Sequence, residues 1–263
     1  REDEGVGGQS REDRKFGRDP NRRHRRRHDG PQHFIEHEEL DRDALNRFPD
    51  VPFLDTDGHL DLVRGRIGGL QAVVLVCWVD PVHMEEGSAG ARCTALLRQY
   101  HTLLDRHPKL ITFGGNGRLV KEAKARGLIS GIAGIEGGHS IEESLEKLEE
   151  FFTAGVRVMT LVWNNHLSWI RSCRDGAGPE VPKGLSDFGR DVVRHMNSLG
   201  MLVDLSHASD QAFHDTLEVT DRPVIASHSG CREVNDHPRN LSDEQLRALA
   251  GNGGVVGTVF CTP

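Results

Sequence analysis

A chain of 263 residues has room for one large single-core domain or two small ones, which excludes a long multidomain assembly. Hydrophobic residues make up only 36%, low for a globular chain, so part of the length is expected to add nothing to a core. The net charge of -7 argues against a general nucleic-acid surface, and the longest apolar run, residues 73–79, is far too short to span a bilayer.

Residues 1–50 come first and are dominated by charge, including the run from Arg22 to His28. They show almost no apolar periodicity, and their arginines are interrupted by acids with only Phe16 and Phe34 as stacking aromatics. The segment reads as a disordered, solvated tail rather than a nucleic-acid arm. From about Pro52 the texture changes, and residues 51–263 are taken as the folded domain. Short runs rich in β-branched residues at 72–79, 128–135, 156–162, 201–205, 223–226 and 254–260 read as strands buried on both faces. Between them lie helix starts. Ser140 to Glu143 reads as a capping box leading into Leu145, Leu148 and Phe152, and Ser242 to Gln245 as a second one. Ser186 or Asp187 caps a helix that Gly200 stops. Gly114, Gly115, Asn116 and Gly117 have neither the lysine nor the preceding strand of a phosphate-binding loop, so they read as a turn.

Strand followed by helix, repeated, predicts a parallel α/β fold. The expectation is an incomplete (β/α)8 TIM-type barrel of about six βα units, because six strands are visible where eight are needed. A doubly wound sheet is the alternative, but no dinucleotide fingerprint follows the first strands.

Three strands end in residues able to bind metal, at Glu136, at His207 and at His228. A carboxylate and two imidazoles on separate strands make a partial site for zinc or for a dinuclear centre. The chain has 15 histidines, the commonest metal ligand, so position decides which matter. Gly137 and Gly138 suit a backbone that turns sharply and approaches a ligand closely. The five cysteines are scattered without a C-x-x-C pair, which suggests a reducing compartment and neither a disulfide framework nor a zinc ribbon.

The segments Ile135 to Ile141, Asp204 to His207, Ser227 to Ser229 and Pro238 to Leu241 together resemble the membrane (renal) dipeptidase family, zinc metallopeptidases on a (β/α)8 barrel. The resemblance covers roughly Pro52 to Phe260. It implies hydrolysis of a dipeptide by a metal-activated hydroxide, with two zinc ions in the family. Glu136 is then the bridging, catalytic carboxylate, and His207 and His228 ligate the second zinc. Arg239 matches the arginine that holds the substrate carboxylate, for which a planar two-pronged donor is suited. His166, three residues beyond the place where members carry a substrate-contacting histidine, is its candidate substitute; a loop histidine is the other reading. The loop from Asn164 to Gly184 is where pocket walls are expected.

Family members begin with a strand carrying D-G-H-x-D, whose histidine and aspartate ligate the first zinc. Asp57, Gly58, His59, Leu60 and Asp61 imitate it, but their spacing to Gly68-Gly69 is similar to a downstream segment whose histidine and aspartate are not ligands. Both readings of His59 and Asp61 stand. The chain also stops where the sixth strand closes, so the expectation extends to a truncated, non-catalytic homologue with part of the dinuclear site, or to an amidohydrolase acting on another amide. The implied partner is a small dipeptide, with no nucleic acid and no membrane, and a homodimer as candidate assembly. With no signal peptide or spanning segment visible, a cytoplasmic location is expected.

Overall fold

A computed structural model describes residues 60–259; the expected tail 1–50, His59 and the residues from Phe260 onward lie outside the described residues. The elements in chain order are α1 (Leu62–Ile67), β1 (Ala72–Trp78), α2 (Val82–Glu85), α3 (Ala89–Arg106), β2 (Ile111–Phe113), α4 (Gly117–Ala125), β3 (Ile129–Glu136), a 3-10 turn (Gly138–Ile141), α5 (Leu145–Thr153), β4 (Val156–Thr160), α6 (Asp187–Leu199), β5 (Leu202–Asp204), α7 (Asp210–Val219), β6 (Ile225–Ser229), α8 (Asp243–Gly251) and β7 (Val255–Thr258).

Local chemistry explains where most helices begin. Asp61, Asn116, Ser144, Ser186, Ser209 and Ser242 each sit at an N-cap and accept a hydrogen bond from the backbone N–H three residues on. Each such cap is worth about 1 kcal/mol. Ser242 forms the full capping box with Gln245 that the sequence predicts, and Gly200 ends α6 in the left-handed conformation. Buried side chains then recur at helical spacing, as at Ala89, Cys93, Leu97 and Tyr100 of α3.

All strand pairings are parallel, in the order β1-β3-β4-β5-β6-β7, with β2 paired to the first residues of β3. The fold is a partial TIM-type barrel. Strands β3, β4 and β5 are buried on both faces, as their unalternating sequences require. At the two ends of the path, Val74 and Val76 of β1 and Val255 and Val256 of β7 are exposed, because each of these strands has a neighbour on one side only among the described residues. Among the described residues no helix is long and apolar enough to cross a membrane.

Three expectations need correction. A strand does precede Gly114, namely β2, and Asn116 is the cap of α4 rather than part of a bare turn. Helix α5 starts after Ser144, not Ser140: Glu142 and Glu143 both adopt positive φ, which a helix cannot continue through. Glu142 is turned this way to accept the N–H of Gly90 at 2.7 Å, placing its carboxylate on the positive end of α3. Finally, β6 runs to Ser229, so His228 stands within the strand and not after it.

Candidate metal centre

In parallel sheets of this kind, side chains at the C-terminal strand ends share one mouth. The register puts Glu136 of β3 level with Thr160 of β4, and Thr160 level with Asp204 of β5. Glu136 closes β3, His207 follows β5 by three residues, and His228 belongs to β6. Three strand spacings of about 4.8 Å would hold β3 and β6 about 14 Å apart in a flat sheet. Glu136 Oε1 is nevertheless 3.2 Å from His228 Nε2, so the sheet curls toward this mouth.

The remaining edges are as short. His207 Nε2 lies 3.0 Å from Glu136 Oε1 and 3.0 Å from His228 Nε2. Among the described residues this is the one group of three or more histidine, cysteine or acidic side chains able to hold a metal ion. Ligands about 2.0–2.1 Å from a tetrahedral ion stand roughly 3.3 Å apart, close to the three distances found. One carboxylate and two imidazoles are also a donor set that zinc accepts.

The electrostatics agree. Burial opposes the charged form of Glu136, but His207 and His228, which donate to it through Nε2 once they are protonated at low pH, outweigh that and hold the carboxyl at about 2. Burial lowers His207 to about 4, with Arg239 adding to the shift and Glu136 opposing it. At neutral pH the centre therefore offers an anionic oxygen and an unprotonated imidazole, the forms that bind metal.

Each candidate histidine ligand is held from behind. His207 Nδ1 is 3.0 Å from Asn164 Oδ1, an oxygen that also accepts from Arg174 Nε at 3.3 Å. A guanidinium only donates, so the Asn164 atom is an acceptor and His207 Nδ1 carries the proton. This leaves the Nε2 lone pair facing Glu136. His207 itself has φ +71°, a left-handed strain that accompanies functional positions; its carbonyl receives Cys173 N–H at 2.7 Å. On the other side, His228 Nδ1 touches Ser227 Oγ at 2.8 Å, and Ser227 Oγ donates to Asp204 Oδ2 at 2.5 Å. Trp163 lies against the His207 ring at 6.2 Å and packs edge-on to Trp78 at 5.2 Å.

The paired glycines turn the chain after Glu136, with Gly137 at φ +102°. Their close approach is to the protein itself: a Cβ on Gly137 would sit 2.6 Å from His139 Nδ1, and one on Gly138 would sit 2.5 Å from the Leu161 carbonyl. Arg239 reaches the centre on the loop after β6. Its Nη2 donates to the His228 carbonyl at 3.0 Å, while Nη1 is buried without a hydrogen-bond partner. Burial lowers its pKa, and the charges of Glu136 and Asp204 oppose that shift.

His166 does not reach the triad's hydrogen-bond network. Its Nδ1 accepts from Ser172 N–H at 3.2 Å and its Nε2 faces the Asp175 carbonyl at 3.4 Å, both within its own loop. Asp61 caps α1 and pairs with Arg64, a local task that agrees with the reading in which it is not a ligand. Sequence reasoning did not single out Asn164, Ser227 or Thr160 for their roles behind the ligands. Thr160 is marked in the sequence only by its nearness to a strand end, Ser227 by its place in the segment that resembles the family, and Asn164 by its place at the start of the loop expected to wall the pocket.

The family model described as membrane dipeptidase (peptidase family M19) matches residues 34–262. Dipeptidase 3 of Mus musculus is 44% identical over 128 residues, 48% of this chain and 26% of that protein. An uncharacterized dipeptidase of Schizosaccharomyces pombe is 41% identical over 154 residues, 59% of this chain and 37% of that protein. The chain thus matches about a quarter to a third of the length of these curated relatives. Among solved structures, a metallo peptidase from Rhodobacter sphaeroides, liganded with a phosphinate mimic of the dipeptide L-Ala-D-Ala, superposes with a TM-score of 0.73 at 26% identity, covering 84% of this chain and 70% of that one. With a match over most of its length, the chain belongs to the membrane dipeptidase family, peptidase family M19.

Proposed function

We propose that the chain contributes the zinc centre of a dipeptidase, with Glu136, His207 and His228 as ligands and Arg239 as the substrate-carboxylate anchor. The observation that carries the reading is the convergence of Glu136 Oε1 and two imidazole Nε2 atoms within 3.0–3.2 Å. A zinc ion held there supplies Lewis acidity for the scissile carbonyl and a lowered pKa for the attacking water.

The chain's own residues do the rest. Glu136 stays negatively charged well below neutral pH and supplies the charge that retains the cation. Arg239 Nη1 is a buried donor without a partner, and a free α-carboxylate offers two oxygens to such a fork. Holding that carboxylate fixes the peptide bond relative to the ligands, which is how binding energy remote from the reacting atoms is used. Trp163, tilted against the His207 ring, walls the site and limits water access. Hydrolysis adds hydroxyl to the carbonyl carbon and a proton to the departing amine. The dipeptide mimic bound by the Rhodobacter sphaeroides protein supports a dipeptide as the substrate class.

The test is amino-acid release from L-Ala-D-Ala by the zinc-loaded chain, beside chelator-treated protein and His228→Ala. Zinc-dependent release that His228→Ala abolishes is the expected result. Zinc binding without release from any dipeptide would favour the non-catalytic reading, and release confined to cyclic amides would favour an amidohydrolase.

A further inference from the structure

His207 and His228 are held in different ways. The His207 side chain is 8% exposed and packed against Trp163, whereas that of His228 is 34% exposed. Packing alone therefore leaves the His228 ring free to rotate or to exchange its proton between nitrogens. A neutral imidazole presents a lone pair at Nε2 only when Nδ1 carries the proton.

The atoms behind the ring settle this. Ser227 Oγ lies 2.8 Å from His228 Nδ1 and 2.5 Å from Asp204 Oδ2. A hydroxyl has one proton, and a carboxylate accepts only. With that proton given to Asp204, the Ser227 oxygen is left as acceptor, and His228 Nδ1 must be the donor. Asp204 cannot turn away. Its Oδ1 accepts the N–H groups of Ser206 and Ser227 at 3.0 and 2.9 Å, and its Oδ2 also accepts the Thr160 hydroxyl at 2.6 Å. The carboxylate is buried at the end of β5 and clamped by residues of β4, β6 and the turn after β5.

We propose that Asp204 and Ser227 are positioning residues: their relay keeps the His228 proton on Nδ1 and thereby sets the centre's affinity for a divalent cation. The inference deepens the metal reading above and rests on it. It assigns a task to the aspartate three residues before one ligand and to the serine beside the other.

The experiment uses the full chain and compares wild type, Ser227→Ala and Ser227→Thr, which restores a hydroxyl. Zinc affinity is read by competition with a chromophoric chelator, and the His228 tautomer of the metal-free protein by 15N NMR of the imidazole nitrogens. Ser227→Ala is expected to lose about 10–100-fold in zinc affinity together with the Nδ1–H form, and Ser227→Thr to recover both. A merely structural serine would lower the melting temperature without moving the tautomer. Equal zinc affinity and an unchanged tautomer in Ser227→Ala overturn the relay while leaving the metal reading intact. A wild-type chain without zinc affinity overturns the metal reading, and the relay's role with it.

Discussion

Replacing Gly138 by alanine puts one methyl group where the fold leaves no space. The added Cβ would lie 2.5 Å from the Leu161 carbonyl oxygen and 2.7 Å from Trp169 Cη2. The chain cannot withdraw, because Gly138 N–H is itself bonded to that carbonyl at 3.1 Å and Gly137 N–H to the Thr160 carbonyl at 3.1 Å. Trp169 is also fully enclosed. Overpacking of this kind costs about 1–3 kcal/mol, and a backbone oxygen as the obstacle places Gly138→Ala near the upper figure. For a domain of this size that corresponds to a melting temperature lower by about 6–12 °C. Glu136 sits two residues upstream, so zinc affinity should fall with stability. Gly117→Ala is the control, since nothing lies within 4 Å of its Cβ at the first position of α4, where alanine is the better helix former. Differential scanning calorimetry on both variants decides the matter. A Gly138→Ala protein melting within about 2 °C of wild type would refute the packing argument.

Acid stability follows from the two shifted groups, Glu136 and His207. His207, lowered by burial from 6.5 to about 4, resists the proton that the unfolded chain takes up, so stability falls as pH drops between about 6.5 and 4. Glu136, held at about 2 against an ordinary 4.5, contributes stability that is present above 4.5 and lost as pH falls toward 2. Denaturant midpoints of the metal-free protein should decline across both windows, and His207→Gln should flatten the upper one; parallel curves would count against the assignment. Arg239→Lys, which loses the planar fork, is expected to raise KM for a dipeptide by about tenfold or more with a smaller effect on kcat, and an unchanged KM would remove Arg239 from substrate binding. Asp215→Ala leaves the Leu185 N–H, now bonded at 2.8 Å, buried without an acceptor, at a cost of about 1–3 kcal/mol. Limited proteolysis should then cut within residues 161–186 faster than in wild type, and equal rates would argue that the loop is anchored elsewhere.

Much of the fold was legible in the chain, because it depends on neighbours close in sequence. Among the described residues, unalternating apolar runs announced six of the seven strands, and the serine caps with their following N–H groups marked α6 and α8. The same holds for Glu136, a polar residue that closes an apolar strand and so is visible in one dimension, and for the placing of His207 and His228 near the ends of two others. What lay beyond the sequence depends on contacts between distant residues. Glu142 left the helical register to serve Gly90, 52 positions away, and no local propensity records that. β2 was missed because three residues, Ile111–Phe113, carry too little pattern until β3 pairs with them.

The centre divides in the same way. The residue types that could hold a metal were visible in the sequence near strand ends. That Asn164 should hold His207 from 43 positions away, and Asp204 reach His228 through Ser227, was decided only when the sheet curled and brought Glu136 Oε1 of β3 within 3.2 Å of His228 Nε2 of β6. A hydrogen bond requires two partners at once in direction and distance, and a linear sequence holds neither until the chain is folded.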